Sequence, residues 1–128
     1  MHYFEFATKD TTLYEGSGSV NTGFDEILEV RKDIGQAGAV VNASRILIKF
    51  DLTYISSSIS SGLITSGSSE KFYLNMYDAN SQELNTEQYL YAYPISQSWV
   101  QGSGRTDSNP YIKNGASWFY RDNDTLKT

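Results

Sequence analysis

Apolar residues recur at every second position most clearly between residues 44 and 52. Ile46, Ile48, Phe50 and Leu52 fall on one face there, and Arg45, Leu47, Lys49 and Asp51 fall on the other. A period of two marks a pleated strand with one buried face, because successive side chains point to opposite sides. The same alternation predicts a strand over 71–77, with Phe72, Leu74 and Met76 opposite Tyr73, Asn75 and Tyr77. A third strand is predicted over 87–95, where Tyr89, Tyr91, Tyr93 and Ile95 share a face against Leu90, Ala92 and Pro94. Pro94 has no N–H to give to a ladder and belongs at an edge or a strand end.

Shorter strands are predicted at 11–14 and 26–30, and residues 3–6 alternate weakly, as an opening edge strand would. Phe24, Ile27 and Leu28 also have helical spacing, but Glu29-Val30-Arg31 continues the alternation, and a short helix is marginal without packing. The serine cluster within 51–61 leaves room for one short turn at Tyr54-Ile55. Gly16-Ser17-Gly18-Ser19 and Asn21-Thr22-Gly23 read as turns or loops. The serine-rich stretch 56–69 reads as a crossover loop within one sandwich, because neither half of the chain looks large enough to fold well alone.

Composition narrows the chemistry. The 128 residues contain no cysteine, which removes a disulfide scaffold, a thiolate zinc site and a thiol nucleophile. The single histidine, His2, sits at the chain end and speaks against a Ser-His-Asp site or a multi-histidine metal site. A net charge of -5 argues against nucleic-acid binding, which needs clustered Lys and Arg. No apolar run reaches the ~20 residues of a spanning helix. Residues 1–9 lack the pattern of a signal peptide. Aromatic residues make up 14% of the chain and are mostly tyrosine, which favours pleated surfaces over helices.

Taken in order, several segments resemble a known family. They are Asp10-Thr11-Thr12-Leu13-Tyr14-Glu15-Gly16, Asn21-Thr22-Gly23, Glu26-Ile27-Leu28-Glu29-Val30, Arg45-Ile46-Leu47-Ile48-Lys49-Phe50-Asp51-Leu52, Ile59, Phe72-Tyr73-Leu74-Asn75-Met76-Tyr77, Ala92-Tyr93-Pro94-Ile95-Ser96-Gln97-Ser98-Trp99 and Gly115-Ala116-Ser117-Trp118. This order resembles the DNRLRE domain, also described as a disaggregatase-related or family-96-type carbohydrate-binding module. That family has a threonine before its second tryptophan, where this chain has Ser117. A narrower resemblance, carried by Tyr3-Phe4-Glu5-Phe6, by 9–16 and by 77–84, is to virion structural proteins of marine tailed phages. The resemblance implies an all-β, jelly-roll-like β-sandwich. It also implies that residues 1–128 form a single domain that is the N-terminal and larger part of a longer one. Its closing strands would then lie beyond Thr128 or come from another chain, since open sheet edges are avoided.

Five aromatic residues are the candidate contact set. Trp99 and Trp118 offer faces on which sugar rings stack, or they hold loops to the sandwich. Tyr89, Tyr91 and Tyr93 form a stripe suited to a glycan, to a subunit or to the second sheet. Asp25-Glu26 and Asp122-Asn123-Asp124 carry oxygen ligands of the kind calcium uses, without the spacing of a calcium-binding loop, and read as solvated turns. No carboxylate pair stands in a catalytic motif, so no enzyme activity and no cofactor are expected. The loop 101–113 reads as a solvated connection. The expected role is a phage virion structural protein of capsid, tail or baseplate. It would pack on other virion proteins as a homo- or hetero-oligomer, without nucleic acid or membrane. The alternative is a carbohydrate-binding module or adhesin contacting cell-surface polysaccharide.

Overall fold

The alternating stretch 44–50 becomes a strand because Ile46, Ile48 and Phe50 are β-branched or aromatic on one side, with Arg45, Leu47 and Lys49 on the other. In the computed structural model, which describes residues 3–34, 38, 40–65, 67, 71–79 and 89–128, this is strand β4. The element order is β1 (Ala7–Tyr14), one 3-10 turn (Glu15–Ser17), β2 (Asp33–Ile34), β3 (Val40–Val41), β4 (Ser44–Phe50) and α1 (Thr53–Ser60). Strands β1 and β4 pair antiparallel, with Asp10 opposite Ile48, Thr12 opposite Ile46 and Tyr14 opposite Ser44. The register shifts between Ala7 and Lys9. Strands β2 and β3 form a second antiparallel pair, with Asp33 opposite Val41. The described chain is therefore mostly strand and loop with little helix, as in a small β-type domain.

Several expectations change. The strand at 11–14 reaches back to Ala7, while residues 3–6 stay outside the ladder. Segment 26–30 is not a strand, and at Glu29 side-chain hydroxyls take both backbone groups. The Glu29 N–H donates to Thr12 Oγ1 at 3.1 Å, and the Glu29 carbonyl accepts from Ser44 Oγ at 2.7 Å. The Arg31 N–H donates to Ser44 Oγ at 2.5 Å, and the Ser44 N–H donates to the Arg31 carbonyl at 2.8 Å. Thr12 and Ser44 thus hold 29–31 beside the β1–β4 ladder.

Residues 71–77 and the described part of 87–95 are not strands either. Among the described residues, none pairs its backbone with 71–77 or 89–95, and a strand without a ladder is only an unpaired segment. Glu87 and Gln88 lie outside the described residues.

The serine cluster forms more helix than one turn. In α1, Ile55, Ser58 and Ile59 follow the i, i+3, i+4 spacing and turn inward, with Ser58 buried and the isoleucines half-buried. The serines cover their own backbone: Ser57 Oγ donates to the Tyr54 carbonyl at 2.9 Å and Ser60 Oγ to the Ser56 carbonyl at 2.9 Å. Gly62 ends the helix at φ 77°, a conformation that disfavours a side chain.

The chain divides into two compact units, Met1–Asp51 with Gln97–Thr128, and Leu52–Ser96. The first contains both strand pairs; the second contains α1 and the tyrosine-rich segments. Ile46, Ile48 and Phe50, expected as core, are only half-buried, and Leu52 is exposed. Among the described residues the buried hydrophobic side chains are Val20 and Ala116. The largest fully buried side chains are Asn21, Thr11, Thr12 and Thr22, so the centre of the first unit is polar.

Candidate functional site

The polar centre is built around Asn21, whose side chain has two donors and two acceptor positions. All are used. Asn21 Nδ2 donates to the carbonyls of Gln101 at 2.7 Å and Ala116 at 2.8 Å. Asn21 Oδ1 accepts from the N–H of Gly104 at 2.8 Å and of Gly23 at 3.2 Å. One carboxamide therefore joins three chain segments, and such a group costs little when buried because none of its bonds is lost. No buried polar side-chain atom among the described residues lacks a partner.

The neighbouring bonds extend the same pattern. Thr22 Oγ1 donates to the Thr12 carbonyl at 2.6 Å and accepts from the Thr12 N–H at 3.2 Å, tying the knot to β1. Gln101 Nε2 donates to the Gly23 carbonyl at 2.7 Å, and the Phe24 N–H donates to the Gly104 carbonyl at 2.9 Å. The first part of loop 101–113 is thus a wall of the core rather than a solvated connection. Sequence reading missed it because Asn-Thr-Gly and Gly-Ser-Gly are turn chemistry on their own. No periodic pattern marks a buried asparagine.

A charged rim lies beside the knot. Tyr14 Oη donates to Glu29 Oε2 at 2.8 Å, and Glu29 also pairs with Arg31 at 3.5 Å. Burial, with Glu29 beside it, pushes the Tyr14 phenol up from 10.0 to about 12. A raised folded value means that Tyr14 favours the fold fully below pH 10 and loses that contribution as pH rises toward 12. Tyr14→Phe should therefore flatten the fall in stability between pH 10 and 12, read by urea denaturation at stepped pH. An unchanged slope would show that Tyr14 is not the titrating group.

The acidic pairs act as loop fasteners. The Asp25 carboxylate accepts from the Thr106 N–H at 3.0 Å and from the Thr106 hydroxyl, and Glu26 pairs with Arg105 at 3.7 Å. Asp122 accepts from Thr125 Oγ1 at 2.5 Å, and this bond holds its carboxyl below the usual range. Among the described residues no group of three or more His, Cys, Asp or Glu is placed to hold a metal ion. No helix among them is long and apolar enough to cross a membrane.

The five candidate aromatics fall in both units. Trp99 and Trp118 are half-buried in the first. The Arg45 guanidinium lies 4.8 Å from the centre of the Trp118 ring, a cation–π contact that covers one ring face. Trp99 precedes Val100, whose N–H donates to the Arg121 carbonyl at 3.0 Å and whose carbonyl accepts from the Ala116 N–H at 2.6 Å. Tyr89, Tyr91 and Tyr93 belong to the second unit and are exposed, Tyr91 by 75% and Tyr93 by 79%. Leu90 and Ile95 are exposed too, as are Phe72, Tyr73, Leu74, Met76 and Tyr77. Comparison with protein-family models, with curated proteins and with solved structures finds no match to this chain.

Proposed function

We propose that the protein is a structural assembly component, a virion protein of phage type, that uses its tyrosine-rich segments to pack on other chains. The observation that carries this reading is the exposure of Phe72, Tyr73, Tyr77, Tyr89, Tyr91 and Tyr93 on segments whose backbone forms no ladder with any of the described residues. At ~150–250 Å² for a buried aromatic, and with about three-quarters or more of most of these rings already exposed, the six offer on the order of 700–1,200 Å², enough for one side of a standard protein interface. Residues 72–77 and 89–95 include no charged side chain, so two such surfaces meet without like-charge repulsion in a chain of net charge -5. On this reading β1 and β4 are the first ladder of a jelly-roll-like sandwich, whose remaining strands pair when partner chains arrive. The virion setting rests on the sequence resemblance given above.

The test is sedimentation velocity of the purified chain across a concentration series, with mass spectrometry of purified particles. Self-association, or incorporation into the particle, is expected, and Tyr91→Glu with Tyr93→Glu should weaken it about tenfold or more, as loss of central interface aromatics does. A monomer at every concentration that is also missing from particles sinks the reading. Specific retention on a polysaccharide array by such a monomer would establish the adhesin alternative instead.

A further inference from the structure

Asn114 is followed by Gly115, the one Asn-Gly step in the chain. Such a step is chemically weak, because a residue without a Cβ lets its backbone nitrogen reach the preceding carboxamide with little obstruction. Once Gly115 N loses its proton, it bonds to Asn114 Cγ, and Nδ2 leaves as ammonia. One water then opens the cyclic imide to aspartate or to isoaspartate. Water enters, ammonia departs, and nothing is oxidised or reduced.

The fold clamps both reacting groups. Asn114 Oδ1 accepts from the Ser103 N–H at 2.9 Å, and Asn114 Nδ2 donates to Ser103 Oγ at 2.8 Å. Any rotation of the carboxamide away from Ser103 breaks both bonds. Gly115 is buried at φ 74°, and a Cβ there would stand 2.5 Å from Gly102 N and Cα. Its carbonyl accepts from the Asn123 N–H at 2.8 Å. The step is held from two sides, by 102–103 and by Asn123.

We propose that Asn114 is a deamidation site that the native fold keeps closed and that any opening of the 101–115 loop releases. The two products differ in how they fit back. Aspartate can keep both contacts, because the Ser103 hydroxyl turns from acceptor to donor. Isoaspartate routes the main chain through Cγ, adding a methylene between positions 114 and 115, where Gly115 lies against Gly102. An opening event that ends in isoaspartate thus becomes a permanent loosening of the knot.

The experiment incubates the full chain at mildly alkaline pH, folded and in urea, and follows the Asn114 peptide by mass spectrometry with isoaspartate detection. Conversion in the folded protein should be about tenfold or more slower than in urea, since it requires local opening. Ser103→Ala removes the hydroxyl partner but keeps the N–H. It should speed conversion in the folded state and leave the urea rate unchanged. Equal rates for the wild type in the two conditions would overturn the proposal, whatever the variant does. So would a folded Ser103→Ala protein that converts no faster than wild type.

Discussion

Asn21→Ala is expected to lower the stability of the first unit by about 3–5 kcal/mol, the range for breaking a buried hydrogen-bond network. Truncation removes four bonds at a fully buried position. It strands the carbonyls of Gln101 and Ala116 and the N–H groups of Gly23 and Gly104, at ~1–3 kcal/mol for each group left without a partner or water. The sum is not additive, because a cavity of that size admits water and the loops relax. Against a typical total of ~5–15 kcal/mol, the loss still takes a large share of the stability. Urea denaturation followed by circular dichroism measures it, and a loss under ~1 kcal/mol would mean the carboxamide is not the keystone. Asn21→Asp sharpens the test. It keeps the shape but turns an oxygen toward two carbonyl oxygens. The ionised form is then unwelcome in the fold, so its folded pKa rises above the usual ~3.9. The penalty is present at neutral pH and is relieved as pH falls through the folded value, opposite to the acid sensitivity of a paired carboxylate.

Gly104→Ala is expected to cost about 3 kcal/mol, through collision rather than backbone preference. An added Cβ would meet the Asn21 carbonyl, which is backbone and cannot swing aside. Moving away lengthens the bond from the Gly104 N–H to Asn21 Oδ1 and the bond from the Phe24 N–H to the Gly104 carbonyl, now 2.8 and 2.9 Å. Gly62→Ala is the contrast. Gly62 has φ 77° with nothing within 4 Å of an added Cβ, so only the conformational cost of ~1–2 kcal/mol applies, and it falls on α1. The comparison by denaturation, with a probe in each unit, separates crowding from strain. If Gly104→Ala proves as mild as Gly62→Ala, residues 21 and 104 do not pack as closely as described.

The two changes touch what the sequence concealed. Ile46, Ile48 and Phe50 announced β4 because alternation depends only on the pleat, and Thr11 to Tyr14 announced part of β1. The eight residues of α1 were hidden because serine is a modest helix former whose side chains suit loops as well as caps on their own turns. The tyrosine stretches 71–77 and 89–95 have the composition of strands, yet a strand also needs a neighbour, which composition does not specify. The knot was hidden most completely. Its Asn21 belongs to a tripeptide that normally marks a turn, and its partners Gln101, Gly104 and Ala116 lie far off in sequence. Such a site is legible only as a match between distant segments, not as a pattern within one.

That distance has a consequence for how the chain is made. The bond from Asn21 to the Ala116 carbonyl spans 95 residues of sequence. A ribosome adding ~5–20 residues per second would deliver Ala116 about 5–20 s after Asn21. Through that interval the first segment of the knot waits without its partners. An apolar core in the same position would stand bare and invite aggregation. Thr11, Thr12, Asn21 and Thr22 can instead take their hydrogen bonds from water until Gln101, Gly104 and Ala116 arrive. A polar centre can thus be satisfied by solvent while the chain is unfinished, which an apolar one cannot.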